Sequence, residues 1–473
     1  MNYTLESFAS DIRSQNYTVL HVDLQKNGSL VAALQNSMAS RSGGTDDKSL
    51  ESWVDSQHFH GGRWTRFNIM ITSFLKFTRD VNPWSAWDSC DVVFQFYSDL
   101  NNTLLNDSYP CEPLVPLFIE TTEYIIPLAI SLDSHYKELH LKKHQFLSHT
   151  SMIISKLFNS IKANSENHIN DFNQLPQKQQ ILLYLVNKLN NIYFRMESPQ
   201  LCSNIFKNFK PKCSIRKFGN FPLRQQIEYR YLLGRYYLLN SRISNAFVQL
   251  NNAFMSLLAV SGARNATYTT PELVRNIQRV LQFLVPTGIL MGKMPRLNIV
   301  GQYDEELANV YATLVQLIRS GNIQGVSAWL QQHQQRLISK NLLLVLLEKL
   351  PMVTYKYLVR RLILEWSLAN GFNRLPYDLV SRALHKSIGP NDYYSLDDSI
   401  SKINIYNGIH SSDNAENVLV TLINLGYLRG NCFPAMRLCV FKKTNNINDI
   451  MPPVEERIVS MFPLNNDDAW LDS

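Results

Sequence analysis

The part of this chain that most limits its fold is Asn341–Lys443, and within it the run AENVLVTLINLGYLRGNCFPAMRLCVFKK that ends at Lys443. That run reads as a helix, a tight Gly-containing break and two short strands. Ahead of it lies an apolar stretch, Leu342–Leu347, interrupted by Glu348, Lys349 and Pro351. A helix-like segment, Tyr355–Trp366, follows with Arg360 and Arg361 side by side, and then Leu375–Val380. A small helical unit closing on a β-hairpin flanked by basic residues is the outline of a winged helix.

The residues before it are patterned for helices. Bulky apolar residues recur at three- and four-residue spacing, and no alternating run competes with them. Helices are expected over Arg66–Arg79, from Trp84 to about Leu105 with Pro83 suiting the first turn, over Leu114–Leu132 and over Tyr136–Phe158. Ser37–Asp47 and Gly262–Pro271 read as loops. Lys162–Lys178, rich in Asn and Ser, reads as a boundary, and Lys207–Pro222 as a second break. Helix resumes between them at Gln179–Met196. Leu233-Gly234, Tyr237, Ala246, Leu250 and Ala253 fall at the offsets of a tetratricopeptide helix pair, in which small residues let two helices approach. Glu272–Leu284, Glu305–Ile318, Ile323–Gln332 and Leu337–Leu350 continue the stack, with Pro286-Thr287-Gly288 interrupting it after the first and a turn at Ser320-Gly321-Asn322. The expected layout is an N-terminal helical region (1–170), a helical-repeat part (171–350), a winged-helix part (351–445) and a tail (446–473).

Composition excludes several classes. The net charge of +7 is mildly basic, so an anionic partner must be argued from clustering. The six cysteines form no C-x-x-C pair and point to free thiols rather than a metal site. No apolar run reads as long enough to span a bilayer, so membrane insertion is not expected. The N-terminus lacks the basic-then-apolar order of a secretory signal. Gly288…Gly292-Lys293 resembles a phosphate loop, but one residue is missing between the glycines and Met294 stands where Ser or Thr should hold magnesium. His58 and His60 lack a third ligand, and no Ser or Cys nucleophile sits in a recognisable setting. No cofactor, metal or catalytic residue is expected.

Five local phrases go further. LLYLVNKLNNIYFRMESPQLCSNIFKNF (Leu182–Phe209), VPTGILMGKMP (Val285–Pro295), GNIQGVSAWL (Gly321–Leu330), LLLVLLEKLPMVTYKYL (Leu342–Leu358) and IYNGIHSSDNAENVLVTLINLGYLRG (Ile405–Gly430) resemble the Thp-one family. That family is the PCI-domain subunit of the TREX-two transcription-and-export complex at nuclear pores, with PCI-domain-containing protein two as its animal counterpart. The resemblance covers about Leu50 to Met461. It implies a mainly α fold: a right-handed α-solenoid of TPR-like helix pairs ending in a winged helix with a small β-hairpin. It also implies a hetero-oligomer with a Sac-three/GANP-type PCI scaffold subunit and the small acidic protein Sem-one/DSS-one. A nuclear location at the nucleoplasmic side of the pore is implied too, with the two winged helices side by side forming a platform for mRNA or another single-stranded nucleic acid.

The residues offer candidates for each role. Arg429, Arg437, Lys442 and Lys443 stand in and around the hairpin, and Lys356, Arg360 and Arg361 on the first helix of the unit. Met352–Lys443 holds eleven Lys and Arg against seven Asp and Glu. Such a cluster suffices for phosphate contacts, although cations on an exposed hairpin also keep an edge strand from pairing. Tyr427 and Phe441 could stack on bases or belong to the core. Val418, Leu422 and Leu425 are candidates for the side-by-side contact with a second winged helix. Lys207, Lys210 and Lys212 are candidates for the acidic partner. The acidic end, Asn465–Ser473, reads as a solvated tail. Two other PCI readings stay open, a subunit of the signalosome-twelve type acting in transcription or splicing, and a proteasome-lid-type subunit without nucleic-acid contact.

Overall fold

The computed structural model describes residues 3–40, 46–138, 140–163, 169, 171–263, 270–388 and 415–472. Parts of the expected loops at Ser37–Asp47 and Gly262–Pro271, part of the expected boundary Lys162–Lys178, and Ile405–Asn414 of the last family phrase lie outside the described residues. The chain is mainly helical and carries one small sheet. Contacts divide it into two units, Met1–Gln225 and Gln226–Asp472.

In the first unit the helices are α1 (Leu5–Arg13), α2 (Leu24–Ala39), α3 (Asp47–Ser56), α4 (Thr65–Asp80), α5 (Ala86–Leu104), α6 (Val115–Ser134), α7 (Gln145–Ser160), the single turn α8 (Gln177–Gln180), α9 (Leu182–Arg195) and α10 (Cys202–Lys212). Helix α4 is its core. Phe67, Met70, Ile71, Phe74, Leu75 and Phe77 are all fully buried, because α4 packs on α2, α3 and α5 at once. His60 is half-buried at the edge of this core, with its ring 4.7 Å from that of Phe67.

Two helix starts differ from the expectation, and capping explains both. Helix α5 begins after Pro83, because the Ser85 hydroxyl accepts a hydrogen bond from Asp88 N and so caps the helix there. Helix α7 begins at Gln145 rather than near Tyr136. The Asp133 carboxylate accepts from Phe146 N and Leu147 N at 3.1 and 2.9 Å and pins its first turn.

The second unit contains α11 (Leu223–Leu239), α12 (Ile243–Ala263), α13 (Pro271–Leu290), α14 (Leu297–Tyr303), α15 (Glu305–Ser320), α16 (Ile323–Gln332), α17 (Gln334–Ser339), α18 (Leu343–Leu362), α19 (Tyr377–Ile388), α20 (Ala415–Asn424), the single turn α21 (Ile447–Ile450) and α22 (Val454–Met461). The small residues expected to bring α11 and α12 together do so. A Cβ on Gly234 would lie 2.7 Å from Leu250 Cγ, and Ala246, Leu250 and Ala253 are fully buried. The expected break at Pro286 is absent, and α13 runs through it to Leu290. Pro351 likewise lies inside α18, which is one helix and continues into a π turn, Ile363–Leu368.

Helix α18 packs against α13, α15, α16, α17, α19 and α20. At Gly321, in the left-handed region with φ +72°, a Cβ would lie 2.8 Å from Leu358 Cα, so the α15–α16 turn sits directly on α18. Lys356, on the same helix, is buried, and its Nζ donates to Pro452 O at 2.5 Å. Burial lowers its pKa to about 8; neighbouring Arg360 adds to the shift and Glu456 opposes it.

The sheet has three strands, β1 (Arg374–Pro376), β2 (Gly430–Phe433) and β3 (Leu438–Phe441), in the antiparallel order β1-β3-β2. The hairpin β2–β3 was expected. Strand β1 was not, because three residues ending in proline carry no pattern of their own.

The C-terminal end is not a solvated tail. The buried Arg230 of α11 donates to Leu471 O, to Asp472 Oδ1 at 2.8 Å and to Gln249 Oε1 at 3.0 Å. Tyr237 donates to Asp468 at 2.6 Å, and Ser244 to Phe462 O. The tail therefore straps the α11–α12 pair. Burial holds the Asp468 carboxyl above the usual range, against the pull of the Tyr237 hydrogen bond.

Two stretches, Glu112–Ser134 and Ile243–Gly262, are long and apolar enough by length and composition to cross a bilayer, contrary to the reading above. Much of their apolar surface is used inside the fold. Leu117, Phe118 and Ile125 of the first and Ala246, Leu250 and Ala253 of the second are buried.

Three outcomes follow from this packing. Gly234→Val should destabilise the protein by about 2 kcal/mol in urea melts through overpacking against Leu250. Arg230→Met should cost about 2 kcal/mol and release the tail to carboxypeptidase, because three charge-assisted hydrogen bonds are lost. The pKa of Lys356 is lower folded than unfolded, so the unfolded chain binds more protons between about pH 8 and the ordinary lysine range. This one group therefore makes stability rise with pH across that window. Lys356→Met should remove that component, up to roughly 3 kcal/mol, from the difference between the two stability–pH curves.

Candidate nucleic-acid and partner interface

The sheet sorts its side chains by register. Arg374 pairs with Val440 and Val440 with Asn431; Pro376 pairs with Leu438 and Leu438 with Phe433. Successive residues of a strand face opposite sides. Leu375, Cys439 and Phe441 therefore point into the core and are buried, while Arg374, Asn431 and Phe433 are exposed. Burial of Cys439 beside Cys432 pushes its thiol up to about 12, which makes it a packing group rather than a reactive one.

Four of the expected phosphate contacts surround this sheet and are exposed: Arg429, Arg437, Lys442 and Lys443. Arg429 stands five residues beyond the end of α20, where its backbone N–H donates to Ile450 O at 2.7 Å. Arg437 holds the left-handed position at the hairpin tip, φ +50°, and pairs with Asp378 at 3.1 Å. Lys442 and Lys443 continue directly from β3.

The α18 candidates differ from one another. Lys356 is withdrawn from the surface, because its ammonium is buried on Pro452 O and lies 5.7 Å from the Tyr427 ring. Arg360 is half-buried and lines a cleft of about 320 Å³ with Lys293, Asn448 and Glu455; Lys293 pairs with Glu455 at 2.7 Å. Arg361 is exposed, pairs with Glu365 at 3.1 Å and donates to Ser320 O. The two proposed stacking rings, Tyr427 and Phe441, are both core residues, 7% and 4% exposed.

The partner candidates divide in the same way. Leu422 is fully buried and builds the core beneath α20, so it is not a contact residue; Val418 and Leu425 are half-buried. Lys207, Lys210 and Lys212 lie on α10, which is helical where a break was expected. Lys207 and Lys210 are exposed. Lys212 is not available to an acidic partner. Its ammonium donates to Asn159 O and Ile161 O at 3.0 and 2.9 Å and closes the C-terminus of α7, and burial together with neighbouring Lys162 lowers its pKa.

The structure adds surface residues that sequence reasoning missed. Phe372, Phe433 and Met436 are exposed apolar side chains beside the basic cluster, at 40%, 39% and 61%. Phe372 packs against Trp366 with the rings tilted by 49° and centroids 5.3 Å apart, and lies under the Arg374 guanidinium at 5.6 Å. Phe433 and Met436 belong to the hairpin itself, whereas Phe372 and Arg374 reach it through the pairing of β1 with β3, of which the sequence gives no sign.

No family model matches the chain. The nuclear mRNA export protein THP1 of Saccharomyces cerevisiae is 52% identical over 457 residues, which cover 96% of this chain and 97% of that protein. A PCI domain-containing protein 2 homolog of Dictyostelium discoideum is 26% identical over 300 residues, 63% of this chain and 60% of that protein. A PCI domain-containing protein of Schizosaccharomyces pombe is 20% identical over 390 residues, 81% of this chain and 80% of that protein. With a relative this similar along nearly its whole length, the chain belongs to the PCI-domain family of nuclear mRNA export proteins to which THP1 is assigned.

Proposed function

We propose that this protein is a non-catalytic scaffold and nucleic-acid-binding subunit of a transcription-coupled mRNA-export complex at the nucleoplasmic side of the nuclear pore. The observation that carries this reading is the 52% identity to THP1 along both chains. Helices α11 to α17 form a right-handed α-solenoid. Helices α18 to α20 with the sheet form a winged helix, in which β2–β3 is the wing. The winged helix pairs with that of a Sac-three/GANP-type scaffold subunit through half-buried residues such as Val418 and Leu425. Exposed Lys207 and Lys210 on α10 take the small acidic Sem-one/DSS-one-type protein. Arg429, Arg437, Lys442 and Lys443, with Arg361 at the edge, contact phosphates. Contacts of this kind bind backbone and carry little sequence preference.

The test uses the chain with the partners that copurify with it. Single-stranded RNA binding is measured across a salt series for the wild type and for Lys442→Glu with Lys443→Glu. Affinity should fall at least tenfold for the variant, and the slope of log K against log salt should flatten by about 1.4, the share of two phosphate contacts on a single strand. Unchanged binding would place the site elsewhere. Absence of binding in the assembled complex would leave the proteasome-lid-type architectural reading, and copurification with splicing factors in place of an export scaffold would favour the signalosome-twelve type.

A further inference from the structure

We infer that the solvent face of the three-stranded sheet, and not only its basic rim, binds unpaired bases of a single-stranded nucleic acid. The inference rests on the nucleic-acid reading above and adds the part of the ligand that is recognised.

The two registers set out the face row by row. One row is Arg374, Val440 and Asn431, and the next is Pro376, Leu438 and Phe433. The ladder continues beyond β1, since Phe441 N donates to Asn373 O at 2.9 Å. That continuation brings Lys442 level with Phe372, while on the other side the ladder ends at Gly430 and Phe441, and Arg429 turns aside with its N–H on Ile450 O. The third row is therefore Phe372 and Lys442, with the exposed Arg429 flanking its far end. Two exposed rings stand at opposite corners of a small surface, with Val440 on the line between them, Arg374 and Lys442 flanking it at the Phe372 end, Arg429 off at another corner, and no carboxylate among these nine residues. Asp378, just past β1, is engaged by Arg437.

Chemistry selects the ligand. An exposed ring braced at a tilt by Trp366, with the exposed Arg374 guanidinium above it, offers a stacking position once the guanidinium turns onto the ligand, because every base presents a π-face on which a ring or a guanidinium can lie. Four pair steps along the strands and two strand spacings across them separate the ring positions by about 16 Å. That is the rise of about five stacked nucleotides at ~3.4 Å each. Arg374 and Lys442 stand on either side of that line and Arg429 at the margin, placed to meet the backbone of a strand whose bases lie on the face. A duplex presents no base faces, so it could use the cations but not the rings.

The experiment uses the full chain with its copurifying partners. The probes are a 12-nucleotide U-rich RNA, the DNA of the same sequence, the matching duplex and an abasic ribose-phosphate strand. Phe372→Leu and Phe433→Leu remove the rings at exposed positions without changing charge, and Phe372→Tyr keeps a ring. Each Leu variant should lose roughly tenfold affinity for the single strands. Duplex and abasic binding and the salt slope should stay unchanged, and Phe372→Tyr should bind like the wild type. Equal loss on the abasic strand, or no loss on any single strand while the wild type binds, would overturn this inference and leave the phosphate-contact reading standing. Loss of copurifying protein in place of loss of nucleic acid would overturn it in favour of a protein interface on this face. A wild type that binds none of the probes would overturn both. A greater loss on RNA than on DNA supports it and identifies RNA as the source.

Discussion

The second unit depends on the burial of α18. Val345, Leu346, Leu350, Val353, Leu358 and Val359 turn the helix into a shared core element for α13, α15, α16 and α17 as well as for α19 and α20. Gly321 lets the α15–α16 turn rest on Leu358, and the buried Ser387 hydroxyl of α19 donates to Gly321 O while accepting from Ile323 N. One helix thus locks the end of the helical stack to the unit that carries the sheet. A helix buried on most sides must accommodate whatever polar groups its sequence contains. Lys356 meets that condition by placing its ammonium on a carbonyl, at the cost of a lowered pKa.

That burial has a consequence for function. With α19 and α20 committed to α18, the sheet is left with one face packed and one face in solvent. Its strands are short, Arg374 faces outward on β1 and Lys442 and Arg429 flank the ends of β3 and β2, which discourages pairing with a foreign strand edge while concentrating positive charge. The Arg437–Asp378 and Arg361–Glu365 pairs at the margins are solvent-exposed and hold little energy. They are contacts that a phosphate could displace.

Legibility followed the range of the interactions. The α11–α12 pair was readable because its contacts repeat at short, fixed offsets, and Gly234 against Leu250 reproduces them. The β2–β3 hairpin was readable because its strands are neighbours in the chain. The errors concern long-range partners. Lys356 and Lys212 look like any surface lysine until Pro452 O or the end of α7 is placed beside them. The acidic end looks solvated until Arg230, more than two hundred residues earlier, meets Leu471 and Asp472. Pro286 and Pro351 suggest breaks, yet both helices continue, because tertiary packing outweighs the local penalty of one lost hydrogen bond.

The sequence by itself determined the helical character, the close helix pair, the basic hairpin and, through its phrases, the family. Those features rest on periodicity, small-residue spacing and local composition, all of which act over a few residues. Only the tertiary structure decided which cations remain at the surface, that Tyr427, Phe441 and Leu422 are core, and that Phe372 and Arg374 join the hairpin. The physical reason is that side-chain exposure is a property of the neighbours. For β1, whose three residues pair with a strand more than sixty positions away, the neighbours are assigned only when the chain closes on itself.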